Sequence, residues 1–155
     1  MIQFHQSYSY EDFVQGYRPD RRGGFVLKNG IFVEFCNKAV DDPDEMYVLI
    51  IDEINRGNLS KILGDLMLLI ETDKRSAKWA VKLAYADSAA SKFHVPASLF
   101  LLGLMNTADW SLAVVDYALR RRFAFATLRP VFGQPKLRDY LIAAGVPSEL
   151  VQRIN

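Results

Sequence analysis

The chain has 155 residues, of which 50% are apolar and 24% are charged, a composition that suits one globular domain with a sizeable core. The net charge of +1 gives no general attraction to nucleic acid or to an anionic membrane, although a local basic patch could still exist. The single cysteine, Cys36, excludes an internal disulfide, and His5 and His94 lie too far apart in sequence to indicate a zinc site.

No apolar run reaches the length of about 18 residues that a membrane span needs, and the first residues lack the basic and apolar regions of a signal peptide. We therefore expect a cytoplasmic protein with no membrane partner. The sequence starts on a strand-like stretch, MIQF, and stops within a helix-like one, SELVQRIN, which suggests a segment of a longer chain.

The first part of the chain predicts short elements and a hairpin. MIQFH indicates a strand, and SYEDFVQGY indicates a helix that Ser9 can cap, with Asp12 three residues later. RPDRRGG is typical of a loop. In GFVLKNGIFVEF, the pair Asn29-Gly30 lies between two β-favouring runs, which predicts a type I′ hairpin, and EFCNKAV then begins a helix.

The rest of the chain predicts strands alternating with helices. MYVLII and SLFLLGLM are continuously apolar, which predicts strands buried on both faces of a parallel sheet. Asn55 or Asn58 opens one amphipathic helix, LSKILGDLMLLIE, and residues 111–121 predict another. RFAFATL indicates a third strand, and two helices follow Pro130. The fold class is therefore α/β, a mostly parallel sheet with flanking helices and a β-hairpin insertion, with the core over 1–130 and closing helices over 131–155.

The strand YVLII ends on two adjacent carboxylates, Asp52 and Glu53, which is the Walker B arrangement of nucleotide triphosphatases. The first could hold a hydrated Mg²⁺, and the second could polarise an attacking water. Because successive strand residues point in opposite directions, the chain must turn at Glu53 for both groups to reach one site. The alternative is structural: Asp52 caps the next helix and Glu53 is solvated.

Two more polar features follow in the sequence. GLMNTAD places Asn106 at the end of a neighbouring strand, where an amide could bind the γ-phosphate and the attacking water, although Asn is also a common turn residue. DYALRRRF ends a helix with three arginines. These favour the helix dipole, but one or two of them could also act as arginine fingers on a nucleotide held by the next subunit.

The segments DEINRGNLSKILGDLMLLIE and LMNTADWSLAVVDYALRRRF, with the opening QFHQSYSYEDFVQGYRP, resemble the AAA+ GTPase subunit of McrBC-type 5-methylcytosine restriction systems. The likeness runs from Gln3 to about Tyr140 and implies a partial AAA+ core. It implies that Asp52 and Glu53 are the Walker B metal and catalytic carboxylates, and that Asn106 is the sensor residue.

By the same resemblance, Asp109 belongs to the family's asparagine-aspartate-arginine signature, and Arg121 and Arg122 match its inter-subunit arginines. Members of that family form hexameric rings that bind GTP with Mg²⁺, and a separate endonuclease subunit stimulates hydrolysis. A separate domain reads modified cytosine in DNA, and translocation driven by GTP precedes cleavage.

The sequence departs from the family pattern in two places. Trp110 stands where the family has the arginine of its signature, which replaces a charged donor by an apolar ring. No G-x-x-x-x-G-K-[ST] phosphate-binding loop occurs in the 155 residues, so we expect this segment alone to be inactive. The alternatives are a non-catalytic AAA+-like ring or interaction module, and a relative that depends on ATP.

Overall fold

The computed structural model describes residues 1–87, 92–106 and 120–154. The chain divides into two compact units, Met1–Arg122 and Phe123–Asn155. The first unit contains a mostly parallel sheet with helices beside it, which confirms the predicted α/β class. The second contains the helices Pro135–Ala143 and Ser148–Ile154, which match the two predicted after Pro130.

The regular elements of the first unit are short and alternate between strand and helix. In chain order they are β1 (Ile2–Gln3), α1 (Tyr10–Phe13), β2 (Gln15–Pro19), β3 (Phe25–Asn29), α2 (Ile31–Asp41), β4 (Tyr47–Asp52), α3 (Leu59–Leu63), α4 (Leu66–Leu69) and β5 (Leu99–Gly103). Single 3₁₀ turns lie at Ile54–Arg56, Thr72–Lys74 and Ala77–Trp79.

The main sheet has the strand order β1-β4-β5, and both pairs are parallel. Leu49 and Ile51 of β4 point into the core, while Val48, Phe100 and Leu102 on the opposite face are exposed. The prediction that both strands are buried on two faces is therefore wrong for the described residues. A continuously apolar strand needs cover on both faces, and the described residues cover only one.

Aromatic rings at the carboxyl side of β1 join the sheet to the helices. The Phe13 ring stacks on Phe32 of α2 at 4.9 Å and meets Phe4 edge-on at 5.5 Å between centroids. Ser9 caps α1 as predicted: its Oγ accepts from Asp12 N at 3.3 Å, and Asp12 Oδ2 accepts from Ser9 N at 3.2 Å. This capping box starts a helix of only four residues, shorter than the sequence predicts.

A β-hairpin insertion is present, but its position differs from the prediction. β2 pairs antiparallel with β3, and the connecting loop bends at Gly23 and Gly24, which have φ values of +83° and +102°. Residues after Gly30 form α2, so the predicted type I′ turn at Asn29-Gly30 is wrong. Gly30 serves close packing instead, because a Cβ there would lie 2.4 Å from the Phe13 carbonyl carbon.

The predicted helix over residues 59–71 is interrupted. Asn58, one of the two predicted openers, caps α3, since its Oδ1 accepts from Lys61 N at 3.0 Å. The chain then bends at Gly64, which has φ +49°, and α4 follows. A Cβ at Gly64 would lie 3.2 Å from the Tyr10 ring, so the bend lets α1 pack closely.

The third predicted strand, residues 122–128, is irregular rather than β-structure. A strand exists only where a neighbour supplies hydrogen bonds, and the three-stranded sheet pairs none of these residues. The predicted helix over 111–121 lies almost wholly outside the described residues.

Candidate functional site

The carboxyl end of β4 holds Asp52 at the centre of the sheet. Its backbone oxygen accepts from Phe4 N at 2.9 Å, so β1 fixes the position of the strand end. Its side-chain Oδ1 accepts from Glu53 N at 3.0 Å. Asp52 therefore accepts a hydrogen bond from the next backbone amide. It does not cap the next helix, so the structural alternative for Asp52 is wrong.

Glu53 has a left-handed backbone with φ 50° and ψ 42°. It is the non-glycine residue with positive φ in the described ranges. This conformation costs an L-residue roughly 1–2 kcal/mol. It confirms the predicted turn at Glu53, which lets the side chain leave the alternation of the strand. Strained backbone positions of this kind cluster at active sites and ligand-binding segments, which makes Glu53 a candidate functional residue.

The Glu53 carboxylate is mostly buried and lies beside a cation. Its Oε2 is 3.3 Å from Arg56 Nε, an ion pair that lacks the alignment of a hydrogen bond. The side chain is only 20% exposed, so the alternative of a solvated Glu53 does not describe it. The oxygen remains able to accept a hydrogen bond from another donor, such as a water molecule.

Asn55 belongs to the same turn and carries an orphan acceptor. It is 9% exposed, and its Oδ1 has no hydrogen-bond partner among the described residues. Leaving such an atom unpaired costs roughly 1–3 kcal/mol, so it marks a place for an absent donor. Sequence reasoning missed Asn55, which it considered only as a helix opener. A signal was available in the sequence: two asparagines follow the carboxylates, and only one of them, Asn58, is needed to cap α3.

The end of β5 is tied to this turn by two backbone hydrogen bonds. Ile54 N donates to Leu104 O at 3.0 Å, and Leu104 N donates to Ile51 O at 2.8 Å. A Cβ at Gly103 would lie 2.7 Å from Ile54 Cδ1, so glycine permits this close approach. Asn106 follows Leu104 by two residues and is therefore at the same edge of the sheet as the carboxylates. Asp109, with Trp110, lies outside the described residues.

The two predicted inter-subunit arginines have different surroundings. Arg121 is exposed. The Arg122 side chain is only 11% exposed, and its Nε lies 2.8 Å from Glu71 Oε1 in the same unit. Arg122 is thus held within its own subunit, and Arg121 is the one that is accessible to a neighbouring molecule.

The described part of the chain contains neither a cluster of metal-binding side chains nor a membrane-spanning helix. No group of three or more histidine, cysteine, aspartate or glutamate side chains is arranged to hold a metal ion there. In the same ranges, no helix has both the length and the apolar character to cross a membrane.

The sequence of this chain is similar to those of known restriction-system proteins and matches a known domain family. The chain is 56% identical over 142 residues to the type IV methyl-directed restriction enzyme EcoKMcrB subunit of Escherichia coli K12, covering 92% of this chain and 31% of that protein. It is 28% identical over 131 residues to the type II restriction enzyme BsuMI component YdiS of Bacillus subtilis 168, covering 79% of this chain and 38% of that protein. The chain thus spans about a third of the length of these curated relatives. Residues 1–123 match the model of the AAA domain of the dynein-related subfamily, and the chain therefore belongs to that family.

Proposed function

We propose that this chain provides the hydrolytic half-site of a nucleotide-driven motor subunit in a DNA restriction system. Membership of the AAA family and the two restriction-system relatives support the class. The observation that carries the chemistry is Glu53, held in a left-handed turn directly after Asp52 at the carboxyl end of β4. Strain at a carboxylate beside a second carboxylate favours a catalytic role over a structural one.

Asp52 and Glu53 have separate roles in this proposal. Magnesium takes one or two carboxylates and completes its coordination with waters and substrate phosphates, so the single carboxylate of Asp52 fits an ion that arrives with a nucleotide. The orphan Oδ1 of Asn55, which belongs to the same turn, would be a further acceptor for a water that arrives with the ion. A bound Mg²⁺ would neutralise charge on the phosphates. Glu53 would accept the proton of the attacking water, and Asn106 would orient that water from the adjoining strand end.

We further propose that the nucleotide is GTP and that the working form is a hexameric ring. An endonuclease subunit would be the partner, and DNA would be read by a domain outside this segment. The Escherichia coli relative is a subunit of a methyl-directed restriction enzyme, which supports a modified-DNA target. Arg121 would project onto the nucleotide of the neighbouring subunit, which its exposure permits. Asp109 belongs to the same proposed set, and Arg122 would have to leave Glu71 to join it.

A second candidate is a non-catalytic ring or interaction module, with ATP use as a variant of the first proposal. The 2.8 Å contact between Arg122 and Glu71 favours the module, since it holds one proposed finger inside its own subunit. A ring that used only Arg121 would still be catalytic, so subunit mixing can separate the two candidates.

The test uses a full-length protein that carries this segment and measures phosphate release with Mg²⁺ and either GTP or ATP. We expect hydrolysis of GTP, and turnover of ATP alone would replace GTP by ATP in the proposal. An Arg121→Ala, Arg122→Ala subunit is then mixed with a Glu53→Gln subunit. Recovery of activity in mixed rings supports fingers that act in trans. The module is favoured if the parent hydrolyses neither nucleotide and the mixed rings also have no activity.

A further inference from the structure

The β2–β3 hairpin presents one face that carries amide side chains at its root and aromatic rings towards its tip. Cross-strand partners point to the same side of a hairpin, and residues two apart along a strand share a face. The pairs Gln15–Asn29, Tyr17–Leu27 and Pro19–Phe25 therefore lie on one face, which we call the aromatic face. From Asn29 at the root to Phe25 near the tip, this face extends over four residues, or about 13 Å.

The outer part of the aromatic face is exposed and aromatic. Tyr17 is 51% exposed and Phe25 is 73% exposed. The Tyr17 ring is held edge-on against Tyr85, with 5.8 Å between centroids, so it is a positioned platform. Exposed rings along a strand are the surfaces on which single-stranded bases stack.

The hairpin is also basic. Residues 15–29 contain the cations Arg18, Arg21, Arg22 and Lys28 against one carboxylate, Asp20, although the whole chain carries only +1. Arg18 is paired with Asp12. Arg21, Arg22 and Lys28 are exposed and have no acidic partner in the described part of the chain. These three cations are free to bind a polyanion at the tip and along the opposite face.

A cavity of about 320 Å³ lies at the root of the hairpin, in the size range of small-molecule sites. Gln15, which is 9% exposed, lines it and donates from Nε2 to Asn29 Oδ1 at 3.3 Å. Gln15 Oε1 is buried and has no hydrogen-bond partner in the described residues. Phe93 and Lys92 also line the cavity, which adds a ring and a cation.

The cavity therefore offers a buried acceptor, amide donors, an aromatic wall and a positive charge. Amide side chains pair with the adjacent donor and acceptor atoms on the edge of a nucleobase, and a cation suits its phosphate. We propose that the aromatic face binds single-stranded nucleic acid, with one base in the cavity and its neighbours on Tyr17 and Phe25. A role in moving DNA would rest on the proposed motor function, but binding itself does not require nucleotide hydrolysis.

The test measures fluorescence anisotropy of a labelled single strand of about 15 nucleotides with this chain, at several salt concentrations and without GTP. Arg21→Ala, Arg22→Ala should weaken binding at least tenfold and reduce the slope of log affinity against log salt by about 1.4, or about 0.7 for each lost phosphate contact. The matched control removes two exposed charges elsewhere, Lys136→Ala, Arg138→Ala, and should change affinity less than twofold.

Two more variants locate the bases. Phe25→Leu removes a ring from the aromatic face and should weaken binding at least fivefold, because stacking one base contributes a factor of about 5 to 150. Val26→Ala, on the other face of β3, is its control. Asn37→Trp, on an exposed position of α2 that lines the cavity, should block the base and also weaken binding at least fivefold.

Four outcomes would overturn the proposal. They are no binding at low salt, equal losses in the hairpin and control variants, equal affinity for a blunt duplex, and full affinity for a free mononucleotide. The last would assign the cavity to a soluble nucleotide. If full-length protein hydrolyses no nucleotide but these variants behave as expected, the motor proposal fails and the binding surface stands.

Discussion

The end of β4 and the root of the β2–β3 hairpin each contain a buried amide oxygen that has no hydrogen-bond partner among the described residues. At the end of β4, Asn55 belongs to the same turn as the strained, mostly buried Glu53. At the hairpin root, Gln15 Oε1 lines a cavity together with Lys92 and Phe93, while the exposed Arg21, Arg22 and Phe25 lie towards the hairpin tip. The same kind of unsatisfied atom therefore supports two different proposals: a reaction at the first region and the binding of a nucleic acid at the second.

The largest expected effect separates the two carboxylates at the end of β4. In a full-length protein, Glu53→Gln should lower turnover by at least about a thousandfold and leave nucleotide binding intact, because only the proton acceptor is lost. Asp52→Asn should weaken Mg²⁺-dependent binding as well. Phosphate release and equilibrium binding of a GTP analogue measure both. Parental rates in the two variants would show that this strand end is structural.

The second effect concerns the segment alone. Without a phosphate-binding loop in its 155 residues, it should bind GTP more weakly than about 100 μM, which corresponds to roughly −5.5 kcal/mol. Calorimetric titration with Mg²⁺ and a non-hydrolysable GTP analogue measures this. A dissociation constant in the low micromolar range would mean that the described half-site holds nucleotide by itself. It would also make the end of β4 a binding region rather than a reacting one.

Sequence alone predicted most of the first region. The turn at Glu53 followed from strand alternation, because two adjacent side chains share a site only if the chain leaves the strand. The burial of Glu53 and its contact with Arg56 did not follow, since they depend on how the 3₁₀ turn folds back. The resemblance supplied Asn106 and Asp109. Only the position of Asn106 can be compared with the structure.

The hairpin region shows where local patterns fail. Asn29-Gly30 is the strongest two-residue hairpin signal in the sequence, yet the structure uses Gly30 to let α2 approach Phe13. Tertiary packing outweighs the local turn preference at this position. The cavity at the root joins residues from four separate stretches of sequence, so no local pattern could have revealed it.

The third effect tests the orphan acceptor of the first region. Asn55→Leu should slow GTP turnover in a full-length protein by about 10- to 100-fold, since one lost positioning hydrogen bond costs roughly 1.4–3 kcal/mol. The same change should raise the free energy of unfolding of this segment by about 1 kcal/mol, because a buried amide oxygen without a hydrogen-bond partner is removed. Asn58→Ser keeps the cap of α3 and should change neither quantity. A stable variant with full turnover would remove Asn55 from the site.

A smaller effect distinguishes the two arginines. Arg122→Ala should lower the free energy of unfolding of the segment by about 1–3 kcal/mol, because it leaves the partly buried Glu71 carboxylate without its 2.8 Å partner. Arg121→Ala, at an exposed position, should stay within about 0.5 kcal/mol. Urea denaturation followed by tryptophan fluorescence compares the two. Equal effects would mean that the Glu71 contact does not stabilise the fold.

The smallest effect belongs to the contact between α1 and Tyr85, which lies in the segment after the 3₁₀ turn Ala77–Trp79. The Tyr85 hydroxyl donates to Glu11 Oε1 at 2.6 Å, and this hydrogen bond holds the pKa of Glu11 below its usual value of 4.5. A depressed carboxyl pKa stabilises the folded state above the unfolded pKa, and that stabilisation is lost as the pH falls through the folded pKa. The parent should therefore lose slightly more of its free energy of unfolding than Tyr85→Phe does when the pH is lowered from 6 to 3, because solvent screens this pair and keeps the difference small. The comparison cancels Asp12, which titrates in both proteins. Identical pH profiles would show that the hydrogen bond to Glu11 does not contribute to stability. The position of the Tyr17 ring would then depend on its packing against Tyr85 and not on the pH.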